Sequence, residues 1–163
     1  MRKIEKVLVC VDFSDYSQET LEYAMAVAPP KAKIVIINVI HARDLDAMKV
    51  LSSYFNDPAI VEQYLAKNTD VRKKKIENLV ANSFPHLAGK FEFLIRIGMP
   101  FDEILNTIDK ENIDLVVMGS KGRGNLSRTL VGSNAEKTFR HSPVPVLSIR
   151  QRKSSIPPEI QGQ

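Results

Sequence analysis

Five short segments rich in valine, isoleucine and leucine recur along the chain, separated by stretches with helical spacing. They cover residues 6–11, 33–40, 91–97, 115–118 and 144–149, and several of them are nearly continuous in apolar residues. Strands buried on both faces have this composition, and they belong to parallel sheets sandwiched between helices. The pattern therefore predicts the α/β class, a doubly wound parallel sheet with right-handed crossovers and helices on both faces.

Helical spacing is clearest in two of the intervening stretches. Apolar residues recur at intervals of three and four at Leu21, Ala24, Met25 and Ala28, and again at Phe101, Ile104, Leu105 and Ile108. Asp15 with Gln18, and Ser133 with Glu136, have the spacing of a capping box, which predicts helix starts at both places. Residues 58–83 also have a helical pattern, and 42–57 are interpreted as a connecting segment with some helical character. The predicted element order is β-α-β-α-β-α-β-α-β.

The charge balance is mildly basic, with 23 lysines and arginines against 19 acidic residues and a pI of about 9.2. This suits a partner that carries phosphate groups, but nucleic-acid binders concentrate their positive charge on one face. The run Arg72-Lys73-Lys74-Lys75 is interpreted as a solvated helix face, so nucleic acid is not expected as a partner.

Cysteine and hydrophobicity bear on the compartment. Cys10 is the only cysteine and lies in an apolar run, so a buried thiol is expected and an intrachain disulfide is excluded. No apolar stretch approaches the ~20 residues of a membrane helix, and the first apolar run is too short for a signal peptide. The three histidines show no metal-ligand spacing. A cytoplasmic protein without membrane association is expected, with residues 151–163 as a disordered tail.

Ligands of doubly wound sheets bind beyond the carboxyl ends of the strands, where the strand order reverses. That rule directs attention to residues 11–12, residues 38–40 and the segment after Met118. The last of these has glycines at 119, 122, 124 and 132, and no acidic residue occurs from 115 to 135. Lys121, Arg123 and Arg128 add positive charge, and a helix start at Ser133 favours an anion. A polyphosphate fits this loop.

Two well-known nucleotide motifs are absent from the loop. The P-loop spacing would need a lysine where Asn125 stands, and the Rossmann fingerprint would need a glycine in place of Ser127. The spacing Gly119-x2-Gly122-x9-Gly132-Ser133 instead resembles that of the ATP-binding members of the universal stress protein family. Residues 7–14 and the segment His141-Ser-Pro-Val-Pro-Val-Leu are similar to the same family, so the resemblance spans about residues 5–150.

The resemblance implies a five-stranded sheet of order 3-2-1-4-5 in a nucleotide-binding domain over residues 1–150. It places adenine and ribose near Asp12, Val39 and Met118. The phosphates would be held by Gly119, Gly122, Gly132, Ser133 and the Asn134 amide, with Arg123 adding charge, and Mg²⁺ would arrive with the ATP. Family members commonly dimerise, so a homodimer through the last strand is also implied.

Alternatives remain at the level of residues and of function. The alternative for Asp12 is that it ends a strand and caps the next helix without contacting a ligand. The alternative for the glycines is that they shape a loop and bind nothing. Three functions stay open. The first is a stress-response or signalling module that binds ATP and hydrolyses it slowly at most. The second is an enzyme, either an ATPase or a phosphotransferase that modifies itself or a partner, and the third is a scaffold for another anion such as AMP, a cyclic nucleotide or a nucleic-acid phosphate.

Overall fold

The centre of the molecule is a parallel β-sheet, seen in a computed structural model that describes residues 3–87, 91–121 and 132–150. Within those residues the sheet has five strands in the order β3-β2-β1-β4-β5. The strands are β1 Lys6–Cys10, β2 Lys33–His41, β3 Phe91–Gly98, β4 Leu115–Gly119 and β5 Val146–Ile149. The predicted fold class, strand order and parallel pairing are confirmed.

Helices cover both faces of the sheet. They are α1 Tyr16–Val27, α2 Ala42–Phe55, α3 Ala59–Ser83, α4 Pro100–Lys110 and α5 Ser133–His141, with a 3₁₀ turn at Pro85–Leu87. Val7 and Val9 of β1 face α1 and α3, whereas Leu8 between them faces α4 and α5. Because successive side chains of a strand point to opposite faces, a central strand must be apolar throughout, as β1 is.

The connection between β2 and β3 differs from the predicted single helix, because it contains both α2 and α3. No residue of α2 is buried, although Leu45 and Met48 lie on its half-buried side, so the segment gave only a weak helical signal. Asn56 ends α2 in the left-handed conformation, and its N–H donates to the carbonyl of Ser52. The Asp57 carboxylate then accepts from the N–H of Ala59 at 2.9 Å, which helps to start α3.

Helices α1 and α5 begin where the capping-box spacings predicted, but neither capping box is formed. Asp15 precedes α1 but is itself in the helical conformation and makes no side-chain capping bond. Ser133 is the first residue of α5, and Gly132 takes the N-cap position, so the Ser133 side chain is not placed to cap. Glu136 pairs instead with Arg140, one turn further along, at 3.1 Å. Sequence spacing alone does not determine which residue adopts the extended N-cap conformation.

No helix among the described parts of the chain combines the length and the apolar character that a membrane crossing needs. Residues 151–163, predicted to be a disordered tail, lie outside the described residues.

Candidate functional site

A cavity of about 490 Å³ opens at the carboxyl edge of the sheet. Its floor is formed by the ends of β1, β2 and β4, and its walls by the first residues of α1, α2, α4 and α5. β1 lies between β2 and β4, so the cavity sits where the strand order reverses. Its volume falls within the range usual for small-molecule and cofactor sites.

The cavity brings together most of the residues that the sequence singled out. Those that line it are Asp12, Val39, Met118, Gly119, Gly132, Ser133 and Asn134. Gly122 and Arg123 lie outside the described residues. Residues from three separate strand ends and one helix start therefore surround one volume, and their contact with a ligand stays a prediction.

The Asp12 carboxylate lies just beyond β1 and is held by the turn that follows. Its Oδ1 accepts from the backbone N–H of Ser14 at 3.0 Å, from the Ser14 hydroxyl at 2.6 Å and from the Ser17 hydroxyl at 3.3 Å. An aspartate that bonds to the backbone two residues on stabilises a turn in this way. The bonds to Ser14 and Ser17 fix the orientation of the carboxylate at the cavity wall, so the turn role and a ligand role are compatible.

The opposite side of the cavity is built by the end of β4 and the start of α5. Ser120 N donates to the carbonyl of Ile149 at 2.7 Å, and Gly132 N donates to the carbonyl of Ser120 at 2.7 Å. Glu136 N donates to the carbonyl of Gly132, which is the first intrahelical hydrogen bond of α5. The N–H groups of Ser133, Asn134 and Ala135 precede that bond. Ser133, Asn134 and Ala135 all line the cavity, where a helix start favours negative charge.

Gly119 is required at its position by close packing. A Cβ atom there would lie 2.9 Å from Cβ of Tyr16 and 3.1 Å from the carbonyl oxygen of Lys121. Contacts below 3.0 Å are not tolerated between such atoms. The missing side chain thus lets the start of α1 approach the end of β4.

Charged groups of both signs line the cavity. The cations are Arg43, Arg72 and Lys121, and the carboxylates are Asp12 and Asp44. Of these, only Asp12 and Lys121 were recognised as relevant from the sequence. The interpretation of the run Arg72-Lys73-Lys74-Lys75 as a solvated helix face is wrong for Arg72, because the side chain of Arg72 is buried. The break that it makes in the apolar stripe of α3 was the available signal.

Cys10 also lines the cavity, at the end of β1. Burial and, to a lesser extent, the negative charge of Asp12 raise the pKa of its thiol to about 12. A thiol with so high a pKa is a poor nucleophile at neutral pH. Cys10 is half-buried rather than fully buried as expected, and its raised pKa agrees with a structural role for the thiol.

Metal binding by side chains alone finds no support in the described residues, where no group of three or more histidine, cysteine, aspartate or glutamate side chains is placed to hold an ion. His41 has a local role instead. Its Nδ1 accepts from the N–H of Arg43 at 3.1 Å and thereby caps α2.

Comparison with known proteins extends over nearly the whole chain. A model of the universal stress protein family matches residues 3–150. Universal stress protein MJ0577 of Methanocaldococcus jannaschii is 28% identical, across 92% of this chain and 97% of its own length. The solved structure of MJ0577 covers 93% of this chain and 99% of its own, with 27% identity and a TM-score of 0.76.

Two further solved structures share the fold. The universal stress protein UspA from Lactobacillus plantarum has a TM-score of 0.66 and 25% identity, across 92% of this chain and 100% of its own. A universal stress protein solved in complex with cAMP has a TM-score of 0.56 and 22% identity, across 91% and 98% of the two chains. At 22% identity, the second likeness concerns the fold alone.

Proposed function

Because this chain belongs to the universal stress protein family, we propose that it is a stress-response or signalling module whose ligand is an adenine nucleotide, ATP in the first place. One observation carries the proposal. Residues that the sequence singled out, at the ends of β1, β2 and β4 and at the start of α5, line one cavity at the reversal of strand order.

The two sides of the cavity suit the two ends of a nucleotide. Val39 and Met118 offer apolar surface to the base, and the oriented carboxylate of Asp12 can accept a hydrogen bond from a ribose hydroxyl. We assign the phosphates to Gly119, Gly132, Ser133 and the Asn134 amide. The N–H groups of Ser133 and Asn134 precede the first intrahelical bond of α5, where the helix dipole favours anions. Gly122 and Arg123 complete the proposed set, in the part of the chain that the structure does not describe.

Hydrolysis of the bound nucleotide is expected to be slow at most. The carboxylates that line the described part of the cavity are Asp12 and Asp44, and Asp12 already accepts hydrogen bonds from Ser14 and Ser17. A general base needs an oriented, available acceptor beside the attacking water. We propose Mg²⁺ as a companion of the nucleotide, bound by its phosphates and water. The Ser133 hydroxyl at the cavity wall keeps autophosphorylation as the second candidate.

The same proposal extends to the domain bounds, the cellular location and the oligomeric state of the protein. We assign the nucleotide-binding domain to residues 1–150 and a tail to residues 151–163. A cytoplasmic location is proposed because ATP is a cytoplasmic metabolite. A homodimer is proposed through β5, which is an edge strand of the sheet.

The direct test is the identity of the ligand and its effect on stability. Nucleotide released from freshly purified protein is identified by mass spectrometry, and unfolding is followed with ATP, ADP, AMP, cAMP, GTP and no ligand. A ligand at one hundred times its Kd should raise the free energy of unfolding by about 2.7 kcal/mol. Ser133→Ala should weaken ATP binding, whereas Ser53→Ala, on the exposed surface of α2, should not.

Each outcome has a defined meaning. Stabilisation by ATP above the other ligands supports the proposal, and a preference for AMP or cAMP replaces ATP with the alternative ligand. Radiolabel on the protein after incubation with γ-labelled ATP would favour the autophosphorylating enzyme. Absence of stabilisation by every nucleotide would show that the proposed function is wrong.

A further inference from the structure

Helix α3 carries one buried arginine within an otherwise exposed basic run. Arg72 is only 8% exposed. Its neighbours Lys73, Lys74 and Lys75 are exposed. Arginine is rarely buried so deeply unless its guanidinium is partnered, because the loss of hydration is costly. The position therefore calls for a specific role in the fold or at the cavity that it lines.

The guanidinium of Arg72 reaches the end of β2. Its Nη1 donates to Oδ1 of Asn38 at 2.7 Å, and Nδ2 of Asn38 donates to the carbonyl of Val11 at 2.6 Å. Asn38 is 1% exposed. The orientation of a buried side-chain amide is set by the hydrogen-bond partners of its oxygen and its nitrogen. A hydrogen bond from a charged donor is stronger than one from a neutral donor. Arg72 thus determines which way Asn38 points, and Asn38 holds the Val11 carbonyl.

A second side chain of α3 contacts the residue on the other side of Asp12. Nζ of Lys75 lies 5.4 Å from the ring centroid of Phe13, within the range of a cation–π contact. Phe13 has a φ of 62°, a conformation that non-glycine residues seldom adopt without support from their surroundings. Arg72 and Lys75 are three residues apart and so share one face of the helix.

Helix α3 therefore fixes the segment Val11–Phe13 on both sides of Asp12. We propose that Arg72 is a positioning residue for the nucleoside end of the cavity, acting through Asn38 and Val11 on the Asp12 carboxylate. The inference rests on the proposed function. Lysine is not expected to replace Arg72, because a single ammonium lacks the planar array of donors that reaches Asn38 from a fixed direction.

The test compares two ligands that share the nucleoside and differ in their phosphates. Calorimetry measures the Kd of ATP and of AMP for the wild type, Arg72→Met, Arg72→Lys and the matched control Lys73→Met. Arg72→Met should raise both Kd values by the same factor, about tenfold, which is the scale of one hydrogen bond to a charged group. The ratio of the two Kd values should stay constant, and Lys73→Met should leave both unchanged.

Asn38→Asp gives a second route if Arg72→Met folds poorly. The carboxylate still accepts from Arg72 but no longer donates to Val11, so the relay is broken at its second bond. It should produce the same equal rise in the two Kd values, and the double variant should add little to either single change. Ser133→Ala, at the phosphate end, should instead raise the Kd of ATP more than that of AMP.

The inference fails if Arg72→Met binds both ligands as the wild type does. It also fails if the variant loses affinity for ATP alone, since Arg72 would then act at the phosphates, or if both Arg72→Met and Asn38→Asp alter the ratio of Kd values, as a general loosening of the cavity would. A wild type that binds neither ligand overturns the proposed function itself, and this inference with it.

Discussion

Single residues at the end of β1 show how local geometry sets chemical behaviour. Cys10 and Asp12 lie two positions apart, and both line the cavity. Asp12 was predicted from its position at a strand end. The relay from Arg72 to Asn38 could not be predicted, because it joins residues 34 positions apart and depends on where α3 packs. The local sequence of Arg72, three lysines in succession, even indicates the opposite environment.

The raised pKa of Cys10 leads to a dependence of stability on pH. The thiol has an ordinary pKa of 9.0 and a pKa of about 12 in the folded protein. Below pH 9 both states carry the proton. Above it the unfolded state ionises first, so the free energy of unfolding should fall as the pH rises from 9 towards 12. Urea denaturation at pH 8 and pH 10.5 should show a larger loss for the wild type than for Cys10→Ala. Equal losses would contradict the prediction.

Gly119→Ala should be destabilising by roughly 1–3 kcal/mol, because the new methyl group overlaps Cβ of Tyr16, which no change of rotamer can move. The same displacement should weaken nucleotide binding. Gly132→Ala is the control, since Gly132 has a φ of −72° that alanine adopts readily, and its stability should change less. Thermal and urea unfolding measure both variants. Similar losses in the two would show that packing against Tyr16 is not the cause.

At the scale of secondary structure, the inner strands β1, β2 and β4 were predictable because buried parallel strands are nearly continuous in apolar residues. The edge strands β3 and β5 are less buried and carry polar residues, but they remain rich in apolar ones. Their bounds moved by one or two residues: β5 begins at Val146, although the carbonyl of Pro145 still accepts from the N–H of Val116 at 3.0 Å. Helix α2 was predicted only as a connecting segment with some helical character, because none of its residues is buried and amphipathic periodicity is the main signal of a helix. Helices α1 and α5 begin where the spacings predicted, but neither capping box is formed, because side-chain capping depends on backbone conformation, which spacing does not specify.

The turn between α2 and α3 gives a prediction at this scale. Asn56 has a φ of 50°, which glycine adopts without strain and β-branched residues strongly disfavour. Asn56→Gly should leave stability unchanged or raise it slightly, and Asn56→Val should lower it by about 1–2 kcal/mol. Urea denaturation of the two variants beside the wild type measures the difference. If valine and glycine are equally tolerated, the turn does not constrain the helical pair.

At the scale of the whole molecule, the strand order came from the family resemblance, and the doubly wound class came from the alternation of strands and helices. The location of the cavity followed from topology, because parallel strands bring their carboxyl ends to one edge. The contributions of α2 and α3 to that edge could not be predicted from the topology. His41, Arg43 and Arg72 reach the cavity from the one crossover whose helices were incompletely predicted.

The proposed dimer can be tested at the free edge of β5. Val116 N donates to the carbonyl of Pro145 and Ser120 N to that of Ile149, so by alternation Ser148 directs its backbone groups away from β4. Ser148→Pro removes an outward N–H without breaking the ladder inside the chain. A dimer formed through β5 should become monomeric, whereas Ser148→Ala should not. Sedimentation measures both, and a dimeric Ser148→Pro would place the interface elsewhere.

The bond between Gly132 N and the carbonyl of Ser120 has a consequence for protein engineering. The bond joins the two residues that flank residues 121–131. The ends of this segment are therefore held together by the fold, whatever the length of chain between them. When residues 121–131 are exchanged for a short glycine–serine linker, the circular dichroism spectrum should therefore stay the same as that of the parent protein. The same scaffold could then accept loops from other sources, each bringing its own ligand preference.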